Sequence, residues 1–122
     1  MDQLPQEQIE CLEKAVHSET RGVHGGPETV VAVILNRTNH PDFPETPCAV
    51  IYQKGQFTGI RNVKAPNSAS KAAVERALSN RETLNKEVLY FHNTSVMPKW
   101  AHKLKRIVKI GAHIFYGEKK HR

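Results

Sequence analysis

The sequence predicts an α+β domain, with helices first and a small antiparallel sheet near the C-terminus. Two observations carry that expectation. Apolar residues recur at helical spacing through the first third of the chain, and after residue 87 the texture changes to short segments rich in both β-branched and aromatic residues.

Taken in order, residues 6–20 read as a helix. Pro5 supplies a fixed φ suited to a helix start, and Ile9, Leu12, Ala15 and Val16 form one stripe with Glu10, Glu13 and Lys14 away from it. Arg21-Gly22 ends this helix. A second helix is expected from Pro27 to Asn36-Arg37. Its valines alone would suit a strand, but proline in the first turn, Glu28 beside it and apolar residues on nearly every face favour a buried helix. Residues 40–47 are a proline-punctuated loop, and Cys48–Tyr52 forms one or two helical turns before Gly55-Gln56-Phe57. Asn67-Ser68 caps a helix of good formers from Ala69 to Leu78. Val88–His92, Ile107–Ile110 and Ala112–Tyr116 read as two or three short strands.

A chain of 122 residues is expected to be one domain, and 39% hydrophobic with 25% charged residues is an ordinary globular balance. The net charge of +6 is unevenly placed: residues 1–98 hold ten Lys and Arg against eleven Asp and Glu, whereas residues 99–122 hold eight against one. The basic residues Lys99, Lys103, Lys105, Arg106, Lys109, Lys119, Lys120 and Arg122 suit a nucleic-acid patch, a solvated face or a surface for anionic polymers, and no nucleic-acid motif accompanies them. The N-terminus shows neither a basic nor an apolar targeting region, and no run approaches the ~18 apolar residues of a membrane span, so the expectation is a chain that stays where it is made, without membrane insertion. Cys11 and Cys48 lack metal-ligand spacing and do not make a disulfide framework in a domain of this size; buried free thiols are the expectation. Seven histidines include no HExxH or HxH pair, so neither a metal nor a cofactor is expected.

One residue breaks the pattern of the first helix. At 100° per residue from Ile9, Leu12, Val16 and Ala15 fall at about −60°, −20° and −120°, and Glu19 falls at about −80°, inside the stripe. A carboxylate aimed at the core favours its protonated form, which is how an enzyme keeps an acid able to donate a proton near neutral pH. The alternatives are an outward turn of a frayed helix end, or pairing with Arg21 or a lysine.

The segments Ala15–Gly22, Val30–Arg37, Phe43–Tyr52, Gly55–Phe57, Tyr90–His92, Trp100 and Ile110–Tyr116, in this order and spacing, resemble the cell-wall hydrolase family typified by the SleB spore-cortex-lytic enzymes, which has phage-encoded members. The resemblance covers about residues 10–117. It implies a compact lysozyme-like, lytic-transglycosylase-like single catalytic domain that cleaves peptidoglycan between N-acetylmuramic acid and N-acetylglucosamine. It places Glu19 at the family's catalytic acid. Many members carry a further Glu after the Arg-Gly pair, where this chain has Val23, which leaves a single-acid mechanism standing. Arg21 belongs to the same motif. Asn36-Arg37, Gln56, His92 and His113 match other polar positions, and with Arg21 they are the expected substrate contacts; Asn36 as a helix-end cap, Gln56 as a loop closure and the histidines as buried, satisfied rings are the bland readings. Phe57 and Tyr116 are expected as walls of a groove or of the core beneath it, and Trp100 as a core anchor or a sugar-stacking platform. Bacterial peptidoglycan is the implied partner and a monomer the implied state. Release of a phage enzyme to the wall would reconcile the family with the missing targeting region. Muramidase-type hydrolysis by water, a non-catalytic wall-binding module and a basic nucleic-acid-binding protein are the competing readings.

Overall fold

The computed structural model describes residues 4–119. Four helices come first: α1 (Gln6–Thr20), α2 (Pro27–Thr38), α3 (Pro47–Ile51) and α4 (Ser68–Ser79). Three strands follow, β1 (Tyr90–Asn93), β2 (Lys105–Ile110) and β3 (His113–Gly117), with 3₁₀ turns at Thr58–Asn62, Arg81–Thr83 and Lys99–Lys103. This is the α+β order the sequence predicts.

The helix ends follow from local chemistry. Pro27 opens α2 and Pro47 opens α3, each where a missing N–H costs nothing. Thr46 Oγ1 accepts the Ala49 N–H (3.2 Å), and Asn67 Oδ1 accepts the Ser70 N–H (2.8 Å), so both caps satisfy an otherwise orphan donor. At the end of α1 the chain turns left-handed through Arg21 (φ 56°) and Gly22 (φ 83°). The Thr20 hydroxyl donates to the Val16 carbonyl and accepts the Gly22 N–H, both at 2.8 Å. A Cβ on Gly22 would lie 2.4 Å from backbone atoms of Ala69 and Ser70, so only glycine lets the end of α1 rest against the first turn of α4.

The core is built around α2. Val30, Val31, Val33 and Ile34 are fully buried among α1, α3 and α4, with Leu12 and Val16 of α1, Val50 and Ile51 of α3 and Phe115 of β3. An all-round apolar helix is stable only when surrounded, which is why its valines make no strand. A smaller cluster of Ala101, Ile114 and Tyr116, with Tyr90 and Leu104 against it, lies on the other side of the sheet.

The expectation of free thiols is wrong: Cys11 of α1 and Cys48 of α3 are joined in a disulfide across a separation of 37 residues. Packing of α3 on α1 brings together two cysteines whose spacing shows no local signature.

The sheet is antiparallel in the order β1-β3-β2, with Phe91 opposite Phe115 and His92 opposite Ile114. Val88 and Leu89 precede the first strand as buried chain; the Leu89 N–H donates to the Tyr116 carbonyl (2.8 Å). A register shift between Arg106 and Val108 lets β2 begin at Lys105, two residues before its expected start. Lys105, Arg106 and Lys109 are exposed on this edge strand, a placement that also discourages pairing with other chains. Lys120 and Arg122 of the basic stretch lie outside the described residues. No helix among the described residues is long and apolar enough to cross a membrane.

Candidate active site

Glu19 stands one residue before the end of α1, and its carboxyl lines a cavity of about 390 Å³. Arg37 at the end of α2, the Gly55-Gln56-Phe57 turn, β1 from Tyr90 to Asn93, and Trp100 form the rest of the wall. Four further segments of the chain thus meet beside one acid. Glu19 is the one carboxylic residue on this wall, and its carboxyl makes no hydrogen bond or ion pair with the described residues. Burial raises its pKa above the ordinary glutamate value. An unpaired carboxyl in a cleft, held toward its protonated form, can donate a proton and then take one back.

A larger groove, about 810 Å³, runs between α1 and α4 beside Leu4, Ile9 and Leu78. Its acid Glu13 also has a raised pKa, first through burial, with Lys71 acting against the rise and Glu10 adding to it. There the carboxylate has a compensating lysine and shares the wall with a second acid, Glu75, and no aromatic side chain lines it.

Arg37 is only 3% exposed. Its Nε donates to the Leu89 carbonyl (2.7 Å) and its Nη1 to Gln56 Oε1 (3.1 Å). The guanidinium lies 4.8 Å from the Phe43 ring centroid, 5.3 Å from Tyr90 and 6.0 Å from Phe57, within cation–π range. Desolvation lowers its pKa to about 10, partly opposed by Tyr90.

His92 Nδ1 meets the Asn93 carbonyl (2.9 Å), which only accepts, so in the neutral ring Nδ1–H donates and Nε2 accepts from the Tyr116 hydroxyl (2.8 Å). Both nitrogens are satisfied, which suits a wall and not a proton shuttle. Trp100 packs against Tyr90, His92 and Tyr116 with ring centroids 5.6–5.7 Å apart, yet stays 37% exposed. It is therefore a lining residue propped by the smaller cluster, not an enclosed core anchor.

Of the residues singled out in the sequence, Glu19, Gln56, Phe57, His92 and Trp100 share the cavity, while Arg21, Asn36, His113 and Tyr116 do not line it. The Arg21 side chain is exposed and its carbonyl accepts from Asn67 Nδ2 (3.0 Å). Asn36 Nδ2 donates to the carbonyls of Asn85 (2.9 Å) and Val88 (2.8 Å), tying α2 to the approach of β1. His113 is buried, with Nδ1 2.8 Å from the Gly25 carbonyl. A Cβ on Gly25 would strike this ring at 2.4 Å, so glycine allows the α1–α2 turn to sit on the sheet. Tyr116 supports His92 from behind. Val23, at the place of the second acid, is exposed on the α1–α2 turn. Tyr90, Phe91 and Asn93 carry no individual signal in the sequence, and Arg37 stands out only as a helix-end match. One signal was available: its i−3 and i−4 neighbours, Ile34 and Val33, are both apolar, so its stem shares their face.

Among the described residues, one group could bring three metal-ligand atoms together, His40, Asp42 and Glu118 on the surface. His40 Nδ1 already accepts the Asp42 N–H (3.1 Å), while Nε2 faces Glu118 at 3.1 Å. None of the three lines the Glu19 cavity.

The chain is 34% identical over 114 residues to a spore cortex-lytic enzyme of Bacillus cereus, an alignment covering 90% of this chain and 44% of that protein. The chain thus spans less than half the length of this curated relative. Its fold matches the catalytic domain of the germination-specific lytic transglycosylase SleB from Bacillus anthracis, with a TM-score of 0.79 and 32% identity over 95% of this chain and 98% of that one. The catalytic domain of the Bacillus cereus SleB protein gives a TM-score of 0.80 and 32% identity, over 95% and 94% of the two chains. The lysozyme-like α+β architecture expected from the sequence is therefore present. With residues 24–116 matching the Cell Wall Hydrolase model as well, the chain belongs to the cell wall hydrolase family.

Proposed function

We propose that this chain is the catalytic unit of a lytic transglycosylase that cuts peptidoglycan between N-acetylmuramic acid and N-acetylglucosamine, with Glu19 as the sole general acid and base. The observation that carries this reading is the lone, partly desolvated carboxyl in a cavity whose other lining residues include no acid. The family match begins at His24, so the role of Glu19 rests on its place in the cavity.

Glu19, protonated, donates to the glycosidic oxygen as the bond to the anomeric carbon breaks. The resulting carboxylate then takes the proton of the muramoyl C6 hydroxyl, whose oxygen attacks the anomeric carbon and closes a 1,6-anhydro ring. No second carboxylate is required, in contrast to retaining and inverting glycosidases. Burial favours the protonated starting form, so activity is expected to fall as pH rises through the raised Glu19 pKa.

Mass spectrometry of digested walls tests the reading. Anhydromuropeptides support it, and reducing muramic ends alone indicate attack by water and overturn it. Glu19→Gln should reduce fragment release by at least ~10²-fold while wall binding persists.

The site of action we propose is the wall itself. The Cys11–Cys48 bridge supports an oxidising setting, because thiol pairs stay reduced in most cytoplasm. The exposed Lys105, Arg106 and Lys109 on the edge strand supply attraction to an anionic wall; wall binding that does not weaken with added salt would remove that part of the proposal.

A further inference from the structure

Arg37 is a buried cation that lacks an anion. No carboxylate pairs with it among the described residues, and its hydrogen bonds go to two neutral oxygens, the Leu89 carbonyl and Gln56 Oε1. The remaining guanidinium N–H groups have no acceptor among those residues. Desolvating a charge is costly, and here only aromatic faces and neutral dipoles offset it. A cation kept purely to brace Leu89 and Gln56 would be an expensive brace. Arg37 lines the same cavity as Glu19, and Gln56, which receives one of its N–H groups, is exposed at the rim.

We infer that Arg37 and Gln56 form a carboxylate-binding position of the cavity, which takes an anionic group of the glycan strand and orients the strand toward Glu19. This rests on the peptidoglycan reading above and adds a specificity determinant to it. A carboxylate matches the planar guanidinium bidentately, and the Gln56 amide can turn its NH₂ toward the same group. Muramic acid offers that chemistry from two sources, its lactyl carboxyl where no peptide is attached and the carboxylates of its stem peptide.

The test uses soluble glycan strands in three forms: with stem peptides, with every carboxylate converted to an amide before assay, and with the peptides removed so that the lactyl carboxyl is free. For the wild type, amidation should raise KM by about tenfold, the lower end for loss of one charge-assisted hydrogen bond. A low KM on stripped strands assigns the lactyl group, and a high one assigns the peptide. The decisive variant is Gln56→Glu, which gives Arg37 an internal carboxylate. It should raise the melting temperature, raise KM on carboxylate-bearing strands more than it lowers kcat, and abolish the sensitivity to amidation. A purely bracing Arg37 predicts the same gain in melting temperature with no change in amidation sensitivity. Attraction by the basic strand β2 would survive Gln56→Glu and vanish in high salt, so the comparison is repeated there. Equal wild-type KM values for native and amidated strands would overturn the inference, as would amidation sensitivity that persists in Gln56→Glu at high salt. Binding of the three strands to Glu19→Gln, followed through fluorescence of the sole tryptophan, Trp100, reads the position without turnover. Failure of the cleavage reading and failure of the carboxylate position are thereby distinguished.

Discussion

Breaking the Cys11–Cys48 bridge should cost the domain much of its stability while leaving the folded site intact. The bridge closes a loop spanning 37 residues, and on the chain-entropy model that lowers the entropy of the unfolded chain by about 13 cal/mol/K, or about 4 kcal/mol at 25 °C. Unfolding a domain of 122 residues releases about 260 cal/mol/K near its midpoint, so the loss corresponds to a fall of about 15 °C in melting temperature. Calorimetry of the oxidised protein, the reduced protein and a Cys11→Ala/Cys48→Ala double variant measures it, the last two agreeing closely if only the crosslink matters. Glu19 lies eight residues beyond Cys11, about 12 Å along α1, so fragment release well below the new midpoint should be nearly unchanged. Midpoints within about 3 °C of the oxidised protein would show that the unfolded chain gains little freedom on reduction and would refute the loop-entropy reasoning.

Glu19→Gln should stabilise the fold in a pH-dependent way: with the folded pKa raised, the native-state contribution of the acid is intact below the ordinary glutamate value and lost as pH rises through the raised one. The variant's advantage in urea unfolding should therefore grow from acid to neutral pH, and a pH-independent difference would contradict burial as the cause. Gly22→Ala, forced into φ 83° against the backbone of Ala69, should lose about 2 kcal/mol or more by the same measurement. Tyr116→Phe leaves His92 Nε2 without its donor and should cost about 1–3 kcal/mol, with less than a tenfold change in fragment release if His92 is a wall residue.

What could be read from the sequence was what local chemistry decides. Pro5, Pro27 and Asn67 mark helix starts whatever the fold, and the expected helix boundaries hold to within about two residues for that reason. The angle of Glu19 on α1 is equally local, and it turns the residue toward the interior, where it lines the cavity. Pairings made by packing were not legible. Cys11 and Cys48 meet because α3 lies on α1, whereas two cysteines without a local signature suggest free thiols instead. Arg37 is surrounded by Phe43, Phe57 and Tyr90, which come from three separate segments, so its burial cannot be seen in α2 alone. His92 as a substrate contact and Tyr116 as a wall of groove or core are separate expectations, yet the two side chains face one another across antiparallel strands, and only His92 reaches the cavity.

The two charged residues of the cavity owe their usefulness to not pairing. Burial is the cause that moves Glu19, with no contribution from Arg37, and Arg37 is shifted by burial and by Tyr90, not by Glu19. Had the helix ends brought them into contact, the guanidinium would hold the carboxyl ionised and lower its pKa, removing the proton that the first step needs. Gln56 takes one Arg37 N–H with a neutral oxygen, which keeps that donor occupied without supplying a charge. Among the described residues the cavity thus keeps an acid that has no cation and a cation that has no acid.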